Sequence, residues 1–307
     1  MSALAALAEE YLATRRALGY QLNKHAQILR AFVRYLDDTG ATRVTVEVAL
    51  GFATQPANAR PIWWQHRLSV ARGFARYARA FDPTTEVPPR NLLAGTNPRR
   101  VPYVYSTDEI TALMSAARQL QPELRGVTCE TVIGLLAVTG LRIGEVLALN
   151  RGDVDLEREL LVIRRPKFNR DRIVPVHPST ISALVHYARC RDKWRPTCQT
   201  PSFFVSSVGT RLGYGGVQKA FAAVVAEIGL DCTSERCRPR LHDFRHRFAI
   251  QTLLSWYRSD ADVASKMPLL STYLGHVKPK DTYWYLSATP ELLALAVSRL
   301  ERSAGLQ

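Results

Sequence analysis

The sequence predicts a mainly α-helical protein with a small antiparallel β-sheet, divided into an N-terminal helical bundle and a larger α+β domain. Three observations predict it. Apolar residues recur at helical spacing through most of the 307 residues. A proline-rich stretch near residue 90 separates two helix-patterned regions. Only two short β-branched runs interrupt the helical pattern downstream. At roughly 100–200 residues per domain, the length also favours two domains over one.

In the first region, Leu4, Leu7, Ala8, Tyr11 and Leu12 make one helical face, and Ile28, Leu29, Phe32, Val33 and Leu36 another. Residues 62–81 set Trp63, Trp64, Leu68, Ala71, Phe74 and Tyr77 against Arg67, Arg72, Arg76 and Arg79. The spacing predicts an amphipathic helix with a basic face, within a bundle of about four helices over residues 1–82. The linker is expected at 83–103, where five of the chain's 17 prolines fall (positions 83, 88, 89, 98 and 102). Arg99 and Arg100 within it suit a strap lying on phosphates. Residues 104–307 then form the second domain.

That domain opens on Ser106–Glu109, whose STDE pattern is a capping box for a helix to about Leu120. A second helix is expected over Val127–Val138. Leu160–Arg164 and Arg172–Val176, separated by Pro166–Asp171, predict a β-hairpin. Helices resume near 179–192, 214–229, 243–257 and 290–302. In the last of these, Leu292, Leu293, Ala296 and Leu300 form an apolar stripe that could pack within the chain or dock on a neighbour.

Composition narrows the function. With 47% apolar and 22% charged residues the chain can bury real cores. Its longest apolar runs, such as Val132–Val138, fall far short of the roughly 18 residues of a membrane span. Glu9 and Glu10 stand where a secretory leader would be apolar. A soluble cytoplasmic, nucleoid-associated protein is expected. The net charge is +14, with 14 basic and 7 acidic side chains in residues 1–100 and the rest of the excess downstream. Two basic halves point to a polyanion gripped by both, nucleic acid first of all. The five cysteines, Cys129, Cys190, Cys198, Cys232 and Cys237, are odd in number and lack zinc-site spacing, so neither disulfides nor metal are expected.

Phosphate-loop, dinucleotide and zinc-protease motifs are all missing, which disfavours nucleotide- or metal-driven chemistry. What stands out is a series of basic and phenolic groups. TGLRIGEVLAL (139–149) places Arg142 after a glycine break with Glu145 one turn later, among apolar neighbours. A guanidinium half buried there needs an anion. Lys167 lies in the hairpin turn with Asn169, Arg170 and Arg172. LHDFRHRFA (241–249) puts His242 and Arg245 on one face of a helix start. YLGHVKPKDTYWYL (273–286) ends a helix at Gly275, presents His276, and reaches Tyr283 and Tyr285.

Taken in this order, over residues of about 106–290, the segments resemble the tyrosine recombinase (phage-type integrase) family. The T-G-x-R-x-x-E pattern falls on Arg142 and Glu145, and the K-x-N-x-x-R-x-V-P pattern on Lys167. H-x-x-R falls on His242 and Arg245, L-G-H on His276, and the tyrosine nine residues later on Tyr285. Phe168 stands where a glycine often follows the lysine, and the tyrosine region is doubled; Tyr283 and Trp284 are expected to pack. The resemblance implies a C-shaped DNA clamp built from a core-binding and a catalytic domain. It implies a catalytic set of Arg142, Lys167, His242, Arg245, His276 and Tyr285 supported by Glu145, and no cofactor or metal. It also implies double-stranded DNA at a specific site as partner, a homotetramer on that DNA, and room for partner recombinases or accessory proteins. Arg67, Arg72, Arg76, Arg79, Arg99, Arg100, Arg170 and Arg172 are the further candidates for DNA contact.

The chemistry of the residues agrees. Planar arginine forks can neutralise non-bridging oxygens as a pentavalent phosphorus forms. Lys167 can protonate a leaving 5′-oxygen, and histidine exchanges protons near neutral pH. A tyrosine hydroxyl, with pKa near about 10, becomes a nucleophile only beside such groups. Attack gives a 3′-phosphotyrosyl link, so rejoining needs no ATP. Two alternatives stay open: a type IB topoisomerase-like relaxing enzyme, and a non-catalytic DNA-binding regulator derived from a recombinase.

Overall fold

Local signals start most of the helices where the pattern expects them. The computed structural model describes residues 2–93, 101–164, 171–230, 238–287 and 289–303. Of the sequence candidates, Arg99, Arg100, Lys167, Arg170, Cys232 and Cys237 lie outside the described residues. The chain forms two units, residues 1–99 and 100–307.

The first unit contains α1 (Ala3–Ala17), α2 (Asn23–Asp38), α3 (Val46–Thr54) and α4 (Pro61–Ala78). The Ser2 and Thr45 hydroxyls accept from the amides of Ala5 and Val48 at the starts of α1 and α3. Pro61 begins α4, where its missing donor costs nothing. The α2 face read from the sequence is buried in full, against Phe52 and Phe74 among others. The proline-rich stretch divides. Its first part lies on the bundle: Thr85 is buried, the Glu86 amide donates to Val44 O at 2.9 Å, and the Glu86 carboxylate accepts from the Val46 amide at 2.7 Å. Residues 84–93 are thus a strap held on the bundle rather than a free linker.

The basic face of α4 divides as well. The Arg67 guanidinium donates to Phe52 O at 2.6 Å and stacks on the Phe52 ring at 3.8 Å. Arg72 donates to the carbonyls of Pro88 and Pro89, each at 2.7 Å. Both hold the fold by satisfying carbonyls that no helix or strand partners, so they are not the free phosphate contacts expected of them. Arg76 and Arg79 are exposed.

The second unit is built around α6 (Glu123–Thr139), which is buried on nearly every side between α5 (Thr107–Arg118), α8 (Pro178–Trp194) and α10 (Asp243–Arg258). The capping box is present: Ser106 Oγ accepts from the Glu109 amide, and the Glu109 carboxylate from the Ser106 amide. Helix α6 begins four residues before the expected start, directly after Pro122. It ends at Gly140, whose φ of +61° is left-handed; a Cβ there would meet Phe248 Cδ1 at 2.7 Å. Helix α7 (Ile143–Ala148) follows, then three antiparallel strands in the order β1 (Val154–Asp155), β2 (Leu160–Ile163) and β3 (Arg172–Pro175). Leu161 faces Val174 and Ile163 faces Arg172 across the hairpin.

After α9 (Tyr214–Glu227) and α10 come α11 (Val263–Leu274), α12 (Lys280–Tyr283), a tight turn over Trp284–Ser287 and α13 (Pro290–Ser303). A separate core gathers Leu253, Met267, Leu274, Tyr285 and Leu292. Leu292 therefore packs within its own chain, while Leu293 and Leu300 of the same stripe are exposed. Among the described residues, no helix is long and apolar enough to cross a membrane.

Candidate active site

Three element ends meet to form the site: the break after α6, the start of α10 and the end of α11. Arg142 caps α7, and its backbone amide donates to Glu145 Oε2 at 3.0 Å. The Glu145 carboxylate sits between two guanidiniums. Arg142 Nη1 reaches Oε1 at 3.0 Å, and Arg172 donates to Oε1 and Oε2 at 3.0 and 2.8 Å. Arg172 is further tied by Nε to Tyr273 O at 2.8 Å. Burial alone would push the Glu145 carboxyl up. The hydrogen bonds and charge of Arg172, with those of Arg142, outweigh it and hold the group well below the usual carboxylate range. Arg172 was placed above among the DNA contacts. Its side chain is 9% exposed and hydrogen-bonded to Glu145, so its guanidinium faces the site rather than solvent.

Arg245, on the first turn of α10, is 1% exposed. Nη1 donates to Gly140 O at 2.9 Å and Nη2 to Leu274 O at 2.7 Å. Among the described residues it forms no salt bridge to a carboxylate. Burying a cation is costly, and burial, then the charge of Arg142, pushes it down to about 10 against the opposing pull of Tyr285 and Glu145; it stays protonated near neutral pH. Arg142 Nη2 also lies 3.5 Å from Gly275 O. Both arginines therefore rest on the last carbonyls of α11, where the helix dipole favours cations.

His242 caps α10. Desolvation of the ring and then the charges of Arg245 and Arg142 depress it to about 4. Part of the residue is open to solvent, so the two guanidiniums are the firmer cause. The ring is neutral at pH 7. A depressed folded value means the unfolded chain binds the proton first, so stability falls as pH drops from the ordinary 6.5 towards 4. We expect the His242 ring signals, followed by NMR in the DNA-free protein, to titrate near pH 4 and to move upward when an anion occupies the arginines. A midpoint near 6.5 in the free protein would refute this electrostatic account.

Tyr285 lies in the tight turn after α12 and is 2% exposed, against 51% for Tyr283. Its ring stacks at 20° on His276 with centroids 6.1 Å apart, and lies 5.5 Å from His246. His246 in turn lies 4.8 Å from His242 and 5.4 Å from Trp284. His276 Nδ1 and Thr282 Oγ1 are 2.6 Å apart, which fixes the imidazole orientation. Tyr285 is also close enough to Arg245 to favour its charged form. The fold thus brings Arg142, Glu145, His242, Arg245, His276 and Tyr285 together.

Sequence reasoning missed the roles of Arg172 and Thr282. For Arg172 a signal existed: it faces the buried Ile163 across the hairpin and alternates with buried Val174, which places it on the inward face. Among the described residues, no group of three His, Cys, Asp or Glu side chains is placed to hold a metal ion.

Residues 104–291 match the model of the phage integrase family. Over 308 residues the chain is 41% identical to a protein of Sinorhizobium fredii designated integrase/recombinase y4rB, covering 98% of each. It is 28% identical over 231 residues to the tyrosine recombinase XerC of Chlamydia trachomatis, covering 74% of this chain and 67% of XerC. Among solved structures it is similar to the XerH site-specific recombinase bound to a palindromic difH substrate in a post-cleavage complex. The TM-score is 0.65 at 18% identity, over 98% of this chain and 84% of that one.

Proposed function

The chain belongs to the phage integrase family, the tyrosine recombinases, and on that premise we propose that it cuts and rejoins DNA through a 3′-phosphotyrosyl link to Tyr285, using neither metal nor nucleotide. One observation carries this reading: Arg245, a buried cation that donates to two backbone carbonyls and forms no salt bridge among the described residues, lies beside a buried tyrosine flanked by histidines. Such a site stores positive charge for an anion to claim.

A DNA phosphate would place its non-bridging oxygens on Arg142 and Arg245, which stabilise charge as phosphorus becomes pentavalent. Tyr285 Oη attacks phosphorus, and the bond to the 5′-oxygen breaks. The phenolic proton passes to a neighbouring base, for which the histidines are placed. The leaving 5′-oxygen takes a proton, the role assigned above to Lys167. The phosphoester is conserved in the link to tyrosine, and a 5′-hydroxyl reverses the step on the same or a new partner strand. The exposed Leu293, Val297 and Leu300 of α13 offer a contact face for the further copies that a tetramer on DNA requires.

A nicked suicide substrate, from which the 5′-hydroxyl fragment diffuses away, tests the proposal. In excess chelator and without nucleotide the wild type is expected to accumulate covalent adduct. Loss of adduct in chelator with DNA binding intact would sink the metal-free step. Binding without adduct under every condition would make the chain a regulator. Relaxation of supercoils without joint molecules would make it a topoisomerase-like enzyme.

A further inference from the structure

The strap over residues 84–93 encloses, with α4, a concave pocket of about 410 Å³ whose functional groups are those of Gln65, Ser69, Arg72, Arg76, Arg90 and Asn91. We propose that this pocket seats a single backbone phosphate of the bound DNA, remote in sequence from the residues of the cleavage site. The inference rests on the reading of the chain as a DNA recombinase and adds a binding site to it.

The walls are fixed before any ligand arrives. Arg72 ties the strap to α4 through the carbonyls of Pro88 and Pro89, and Gln65 Nε2 ties its far end through Leu93 O at 2.8 Å. With Arg72 spent on those carbonyls, Arg76 and Arg90 are the cations left to meet a ligand, and both are exposed. Among the described residues neither forms a salt bridge with a carboxylate. Burial first, and then repulsion by the charges of Arg76 and Arg90, lowers the proton affinity of Arg72. Three guanidiniums converging on one hollow repel each other, and an anion at the centre turns that repulsion into attraction. The remaining groups are a hydroxyl and two side-chain amides, which can donate to phosphate oxygens; among the described residues no carboxylate lines the hollow. A fixed, cation-rimmed and polar recess suits a phosphodiester better than an apolar or cationic partner. Sequence reasoning credited the basic face of α4 as a whole; the structure assigns the work to Arg76 together with Arg90, a strap residue it did not single out.

The test is a scan in which one phosphate at a time of a DNA duplex bearing the recombination site is replaced by a neutral methylphosphonate. It is read as affinity of the full chain and of its Arg76→Gln/Arg90→Gln variant, two exposed positions whose substitution leaves the core untouched. One backbone position is expected to weaken wild-type binding several-fold and to leave the variant indifferent. The slope of log K against log salt should become shallower by about 0.9 in the variant, the loss of one phosphate contact. A charge-matched Arg34→Gln/Arg43→Gln variant, altered at exposed positions outside the pocket, should keep the wild-type sensitivity to that phosphate. If no phosphate couples to Arg76 and Arg90, or if the control variant loses the sensitivity equally, the pocket is not a phosphate seat. Wild-type adduct on the suicide substrate is measured in parallel. Adduct without coupling overturns the pocket alone, whereas absence of adduct overturns the recombinase reading itself.

Discussion

Tyr285→Phe is expected to bind DNA and to form no covalent adduct, a loss on the order of 10⁶-fold if it follows the removal of nucleophiles in other covalent enzymes. The substitution keeps the aromatic ring that packs with Leu253, Leu274 and Leu292, so the surrounding core should survive it. Tyr283→Phe is expected to retain cleavage. The two tyrosines are two residues apart, yet the turn after α12 sends Tyr285 into the core beside His246 and His276 while Tyr283 stays half exposed. A phenol attacks phosphorus only where a neighbouring group can take its proton, and Tyr285 has two histidine rings beside it. Mass mapping of a trapped wild-type adduct checks the pair directly. An adduct on Tyr283, or undiminished adduct from Tyr285→Phe, would overturn the assignment.

What the sequence made legible was local chemistry in the right order. The Ser106–Glu109 box, the α2 face from Ile28 to Leu36 and the glycines closing α6 and α11 each act within a single helix or at its end, and each appears as read. Arg142, His242, Arg245, His276 and Tyr285 were singled out because the motifs of the family resemblance fall on them, and the elements that carry them meet in the fold. What escaped was decided by a boundary residue in one case and by distant partners in the others. Helix α6 starts at Glu123 because Pro122 provides its boundary, not because its first turn carries a stronger apolar pattern. The strap at 84–93 follows the bundle because Glu86 pairs with the backbone of Val44 and Val46, forty residues away. Arg67 and Arg72 looked like phosphate contacts since arginine on an amphipathic helix usually faces water; here a carbonyl in the last turn of α3 and two carbonyls of the strap claim them. Composition cannot distinguish an arginine that meets a ligand from one that satisfies a backbone.

Arg172 is the sharpest case, and its removal should cost both stability and catalysis. Glu145 and Arg172 have side chains 11% and 9% exposed and share two hydrogen bonds. Removing one partner of a buried pair costs about 3–5 kcal/mol. Because Arg142 still faces Glu145, the lower figure applies, which for a unit of this size is a fall in melting temperature of about 6–12 °C. The pH dependence has a definite sign. In the wild type the depressed Glu145 carboxyl contributes stability that is complete above its ordinary value and is lost as acid drives pH down through the folded one. Without Arg172, burial acts with less opposition, the carboxyl moves up, and acid unfolding should begin at higher pH. Catalysis should fall through Arg142, whose orientation Glu145 sets, so adduct should form more slowly at saturating DNA with a smaller change in affinity. Arg172→Lys restores the charge but not the paired bonds, and should recover part of each effect. Combining Arg172→Ala with Glu145→Gln removes the stranded charge, so the double variant should melt higher than the sum of the single losses predicts. The opposite pattern has an equally clear meaning. If Arg172→Ala leaves the melting temperature and acid limb unchanged while weakening DNA binding and flattening its salt dependence, then Arg172 is the phosphate contact its basic sequence context first proposed, and the clasp on Glu145 does not organise the site.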